Sequence, residues 1–112
     1  MTRPGHFSLD LLDRSPDLAT ARLVGEVDLF TAPRLHEGLS TLFDDGVRTL
    51  TLDLSELEFI DSTGLAELVL ALNRHRTGGG DMVLRCPSPS TAKVLEISGL
   101  DRLFVVTTDA TC

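Results

Sequence analysis

Hydrophobic positions recur along this chain first at period two and then at three-to-four, in alternation. Phe7, Leu9 and Leu11 alternate with Ser8 and Asp10, the pattern of a half-buried strand. Asp13-Arg14-Ser15-Pro16-Asp17 is turn chemistry, with Pro16 fixing φ and removing a backbone donor. Leu18 to Val24 resumes strand character with Ala19, Ala21 and Leu23 on one face, so the first two strands read as an antiparallel hairpin. Gly25-Glu26-Val27-Asp28 is expected to leave the sheet. A helix then follows, with Thr31 as N-cap, Pro33 near the first helical position, and Leu35, Leu39 and Leu42 at helical spacing. Asp44-Asp45-Gly46 ends it, Gly46 being free to take positive φ.

Val47 to Leu54 reads as the central strand, with Leu50, Leu52 and Leu54 alternating, and Ser55-Glu56-Leu57-Glu58 as a short link. Leu65, Leu68, Val69 and Leu72 fall at i, i+3, i+4 and i+7, which predicts a second helix from Ser62. It ends around Arg74-His75-Arg76, cations that suit a helix C-terminus. Thr77-Gly78-Gly79-Gly80 is a turn and Met82-Val83-Leu84 a strand. Ser88-Pro89 starts a third helix with Val94, Leu95 and Ile97 as its apolar contacts; Gly99 stops it, and Leu100 is available to pack back. Leu103 to Val106 is the last strand, and Thr107 to Cys112 is expected to fray. The order is ββαβαβαβ: an α/β chain of the α+β type, a mixed sheet of about five strands flanked by helices, with right-handed parallel crossovers.

The 112 residues suit a single domain, 1–112, with one core. That core must be aliphatic, because the chain has five Phe and neither Trp nor Tyr. The formal net charge of −7 disfavours nucleic acid and anionic membrane surfaces as partners. Cys86 and Cys112 make no disulfide framework and no CxxC pair; Cys86 reads as a small buried hydrophobe. With neither a signal-peptide core nor an apolar run of membrane-spanning length, the expected location is the cytoplasm.

The stretch with the most chemistry is Phe59-Ile60-Asp61-Ser62-Thr63-Gly64-Leu65, where a strand hands over to a helix. Asp61 or Ser62 can cap the free N–H groups of the first turn. The same N–H groups and the helix dipole tolerate an added anion, so a hydroxyl exposed there is a good place to hang a phosphate. Competing chemistry has little to stand on. Thr77-Gly78-Gly79-Gly80-Asp81 lacks the spacing and the following Lys-Ser/Thr of a phosphate loop, and a flexible turn explains it. His6, His36 and His75 lie in different elements with no ligand-spaced partner, so neither a metal nor any other cofactor is expected. Asp61-Ser62-Thr63-Gly64 is no G-x-S-x-G elbow, and adjacent Asp and Ser at a helix start make a poor base–nucleophile pair.

Gly25-Glu26-Val27-Asp28, then Leu52-Asp53-Leu54-Ser55 running into Phe59 to Leu65, then Gly79-Gly80 before Met82-Val83-Leu84, and finally Ile97-Ser98-Gly99-Leu100 together resemble the STAS domain family, in particular the single-domain anti-sigma factor antagonists of bacteria. D-S-T-G alone is a weak match; four blocks in the family's order are a strong one.

The resemblance implies a non-enzymatic regulator of transcription that works by partner switching. Ser62, directly after the Asp of the D-S-[S/T]-G block, corresponds to the family's regulatory phosphorylation site, with Thr63 a neighbouring hydroxyl. Asp28 corresponds to a position the family places near the phosphoacceptor. Asp28, Asp61, Ser62, Thr63 and Gly64 are the expected partner-binding residues. The implied partners are an anti-sigma factor that is an ATP-binding serine kinase, and a phosphatase for the phosphorylated form; the free protein is expected to be a monomer. STAS modules also serve as accessory subunits of transporters and of stress-signalling scaffolds, the alternative reading. Relatives often continue into a further C-terminal helix, which is expected to be shortened or missing here.

Overall fold

The computed structural model describes residues 6–108. The elements are β1 (Phe7–Arg14), β2 (Leu18–Val27), α1 (Ala32–Asp44), β3 (Thr49–Ile60), α2 (Ser62–Thr77), β4 (Asp81–Arg85), α3 (Pro89–Ser98), a 3-10 turn (Leu100–Arg102) and β5 (Val105–Thr107). This is the expected ββαβαβαβ order. The strands form one mixed sheet in the order β1-β2-β3-β4-β5, with β1 antiparallel to β2 and all later neighbours parallel.

Register fixes where the core lies. Ala19, Leu50 and Met82 are aligned across three strands, as are Ala21, Leu52 and Leu84. All six are buried, and with Leu35, Leu39, Leu68, Leu72 and Leu95 from the three helices they make one aliphatic core. Each parallel crossover moves one strand along the sheet in the same direction. Right-handed connections therefore stack the helices on one face. The opposite face is polar and half-exposed. There Asp10, Arg22, Asp53, Arg85 and Thr107 line up across all five strands. Asp53 sits between Arg22 and Arg85, with its Oδ2 accepting from both guanidinium groups at 3.1 and 3.2 Å.

Several boundaries differ from the sequence reading. Gly25–Val27 stays in the sheet, and Ser55–Ile60 continues β3 rather than linking it to the helix. Register shifts opposite Arg22–Val24 and Gly25–Glu26 put one extra residue each into β3, between Asp53 and Glu56 and between Leu57 and Phe59, so the two-residue alternation is lost in β3 while β2 keeps it as far as Val27. Gly25 has φ of +97°, and a Cβ on it would stand 2.5 Å from the His6 carbonyl oxygen, which accepts from the Glu26 N–H. The last strand starts two residues later than expected, after the 3-10 turn, and takes in Thr107. Thr31 occupies the N-cap place of α1, yet its hydroxyl makes no capping bond. Cys86 is buried as expected, but it is disulfide-bonded, which the sequence reading did not foresee; Cys112 lies outside the described residues.

Candidate functional site

β2 and β3 run parallel and end side by side, Val27 opposite Ile60. The loops leading into α1 and α2 therefore emerge at one edge, the carboxyl edge of the parallel strands, where open α/β sheets present their functional loops. The Asp61 N–H donates to the Val27 carbonyl at 3.0 Å and ties the two loops together.

Asp61 is the N-cap of α2. Its backbone is extended (φ −101°, ψ −174°), and its Oδ1 accepts from the N–H groups of Thr63 at 3.0 Å and Gly64 at 3.1 Å. This satisfies two of the donors that a helix start leaves open. Gly64 is buried against the strand ends. A Cβ there would stand 2.5 Å from Val27 Cγ1 and 2.7 Å from Ile60 Cγ1, so only glycine lets the first turn of α2 seat on β2 and β3. With its neighbours thus occupied, Ser62 is left on the outside of the first turn. It is exposed, and its hydroxyl has no hydrogen-bond partner among the described residues. Thr63 is half-buried beside it.

Asp28 organises the neighbouring loop. Its Oδ1 accepts from the N–H of Phe30 at 2.8 Å and of Thr31 at 3.1 Å, and its carbonyl accepts from Ala32 N–H at 2.8 Å. The buried Thr31 hydroxyl donates to the Glu26 carbonyl at 2.8 Å and accepts from Asp28 N–H at 2.9 Å. The turn leading into α1 is thus held by Asp28 and braced by Thr31. At the tip of this braced turn, Leu29 and Phe30 are 68% and 82% exposed.

The third loop of this edge belongs to α3. Ser88 caps that helix by accepting from Thr91 N–H, and its hydroxyl also donates to the Leu57 carbonyl at 3.1 Å. Phe59 remains 47% exposed, at the rim of a small pocket it shares with Thr91 and Val94.

The edge is acidic. Residues 23–33 and 54–73 contain Glu26, Asp28, Glu56, Glu58, Asp61 and Glu67 and neither Lys nor Arg. No histidine serves Ser62: His36 pairs with Glu67 at 3.1 Å between α1 and α2, and His75 is buried near the other end of α2 against the Arg48 carbonyl. Among the described residues there is no group of three or more His, Cys, Asp or Glu able to hold a metal ion.

Of the residues singled out from sequence, Asp28, Asp61, Ser62, Thr63 and Gly64 come together at this edge, with different duties. Asp28 and Asp61 shape loops, Gly64 seats the helix, and Ser62 is displayed. Leu29 and Phe30 were not singled out. Their only signal is two bulky apolar residues in succession between a turn-forming Asp and a helix start.

A family model described as the STAS domain matches residues 11–112. The anti-sigma-B factor antagonist of Listeria monocytogenes is 30% identical over 102 residues, covering 90% of this chain and 89% of that protein. Among solved structures, the anti-sigma factor antagonist SpoIIAA in its unphosphorylated form superposes with a TM-score of 0.77 at 26% identity, over 91% of this chain and 90% of that one. The Bacillus cell-fate determinant SpoIIAA in its phosphorylated form gives a TM-score of 0.70 at 26% identity, over 91% and 93% of the two chains.

Proposed function

This chain belongs to the STAS domain family, and from that premise we propose that it acts as an anti-sigma factor antagonist switched by phosphorylation of Ser62. Unmodified, it binds an anti-sigma factor, a serine kinase of the ATP-binding type, and so frees a sigma factor. It works in the cytoplasm as one domain over residues 1–112 and is monomeric until bound. It performs no catalysis itself.

The observation that carries this reading is the exposed, unpartnered hydroxyl of Ser62 on a helix start already capped by Asp61. In the kinase complex the Ser62 oxygen attacks the γ-phosphorus of ATP. The bond to the bridging oxygen breaks, ADP leaves, and the hydroxyl proton passes to a base on the kinase. The product gains about −1.5 to −2 charges and three acceptor oxygens. The helix dipole tolerates that charge within the folded domain. Asp61, however, already holds the N–H groups of Thr63 and Gly64. The phosphate is therefore not drawn into the helix start but stays on display, next to a second negative charge. A partner surface fitted to a hydroxyl would have to desolvate a dianion beside a carboxylate, and this costs more than the contact returns. Release follows, and a phosphatase resets the switch.

The direct experiment is incubation with the cognate kinase and ATP, followed by mass spectrometry of the product. A single phosphate on Ser62 is expected, and none on Ser62→Ala. Phosphate on Thr63, or on no residue, would overturn the assignment.

A further inference from the structure

Leu29 and Phe30 are the most exposed bulky apolar pair adjoining the switch edge among the described residues, at 68% and 82%. Their backbone is nonetheless held firmly. Asp28 Oδ1 accepts from Phe30 N–H at 2.8 Å, and Thr31, only 1% exposed, closes the turn beneath. A rigid loop that points its apolar residues at water has already lost much of the entropy that binding would otherwise cost. Phe59 adds a third half-exposed apolar side chain from β3, one residue before Ile60, whose strand partner is Val27. The segments that carry these residues also hold Glu26, Asp28, Glu56, Glu58 and Asp61. Exposed aromatic residues among polar neighbours suit the anchors of a protein interface.

We infer that Phe30, supported by Leu29, is the apolar anchor by which this protein docks on its anti-sigma kinase. The complementary surface is an apolar pocket bordered by lysine and arginine. The assignment rests on the function proposed above and deepens it. Ser62 decides whether the complex forms, while Phe30 supplies affinity and selects the partner. The occupant is argued from charge: a net −7 chain whose two loop segments at this edge hold acids and no Lys or Arg attracts a basic face. The Val27–Asp61 hydrogen bond makes the anchor loop continuous with the switch.

The test is isothermal titration of the full chain into the cognate kinase loaded with ADP. Phe30→Ala is expected to weaken binding by about 30-fold or more, the range of a hot-spot residue. Leu18→Ala serves as the control. It removes another exposed apolar side chain, 51% exposed, at the opposite end of the sheet, and is expected to bind as wild type does. Thermal unfolding of Phe30→Ala should match wild type, since that side chain is mostly exposed. Raising salt from about 50 to 500 mM should weaken wild-type binding through screening of the rim. Wild-type affinity in Phe30→Ala would overturn the anchor, as would an equal loss in Leu18→Ala. Affinity independent of salt would overturn the basic rim. Failure of the wild-type chain to bind any cognate kinase would instead sink the underlying function, and the anchor with it.

Discussion

The Asp61 carboxylate and the Gly64 backbone N–H stand 3.1 Å apart, and this bond fixes the first turn of α2 directly beneath Ser62. Gly64 in turn fits against Val27 and Ile60, the last residues of two parallel strands. The displayed hydroxyl is thus set by a carboxylate on one side and by a missing side chain on the other.

Removing the carboxylate should cost stability while leaving the hydroxyl present. Asp61→Ala is expected to lose about 1 kcal/mol in urea unfolding, the worth of an N-cap. Ser62→Ala should fall within about 0.5 kcal/mol of wild type, as an exposed residue without partners does. A large loss in Ser62→Ala would place that side chain in the structure of the helix start and not on the surface.

Gly64→Ala brings a methyl group into Val27 and Ile60. Overpacking of this kind costs about 1–3 kcal/mol, and the shift it forces displaces Ser62 as well. The variant should therefore lose both stability and its rate of phosphorylation by the kinase. Wild-type values for both would show that the helix start has room that the geometry denies it.

Asp53 links stability to acid. Burial raises its pKa, but hydrogen bonds from Ser55, Arg22 and Arg85 outweigh burial and hold it down at about 2, against an ordinary 3.8. The unfolded chain therefore binds this proton first. The stabilisation is complete above pH 3.8 and is lost as pH falls from there towards about 2. The amount at stake is roughly 2 kcal/mol. Urea titrations of wild type and Asp53→Asn across that window should converge as pH falls; curves that stay parallel would contradict the assignment.

His75 acts at milder pH. Burial is the main cause of its lowered pKa, from an ordinary 6.5, and the charges of Arg48 and Arg74 act in the same direction. Its Nδ1 lies 2.8 Å from the Arg48 carbonyl, which fixes Nδ1 as the protonated nitrogen, and Nε2 is buried without a partner among the described residues. A second proton on Nε2 would be an unpaired buried charge. The unfolded state takes it up more readily, so stability should begin to fall as pH drops below 6.5. Melting temperatures from pH 8 to 5 test this: wild type should decline, and His75→Phe, which keeps an aromatic ring edge-on to Phe43, should be flatter.

Much of this was legible in the chain. The spacing of Leu65, Leu68, Val69 and Leu72 found α2, and the Asp61-Ser62 pair narrowed its cap to two residues, of which the structure uses Asp61, because both signals are local. The outer part of β3 was missed because extra residues between Asp53 and Glu56 and between Leu57 and Phe59 break the alternation on which strand recognition depends, and the end of β2 because Gly25 and Asp28 are turn residues although its alternation runs on to Val27. The Arg22–Asp53–Arg85 row was out of reach for another reason. Its members are 31 and 32 residues apart, and only the sheet register brings them together. Phe30 escaped because an apolar residue held in a turn has no period at all. What announces it is exposure, and exposure exists only once the fold does.

The central claim is that one phosphate on Ser62 changes docking and not folding. The most direct measurement compares the Ser62-phosphorylated and unmodified proteins side by side, by titration against the kinase and by thermal unfolding. Loss of at least about 100-fold in affinity, the range in which single groups control an interface, with melting temperatures that coincide, is the predicted result. Equal affinity of the two forms, or a loss of binding that merely follows from an unfolded domain, would contradict it.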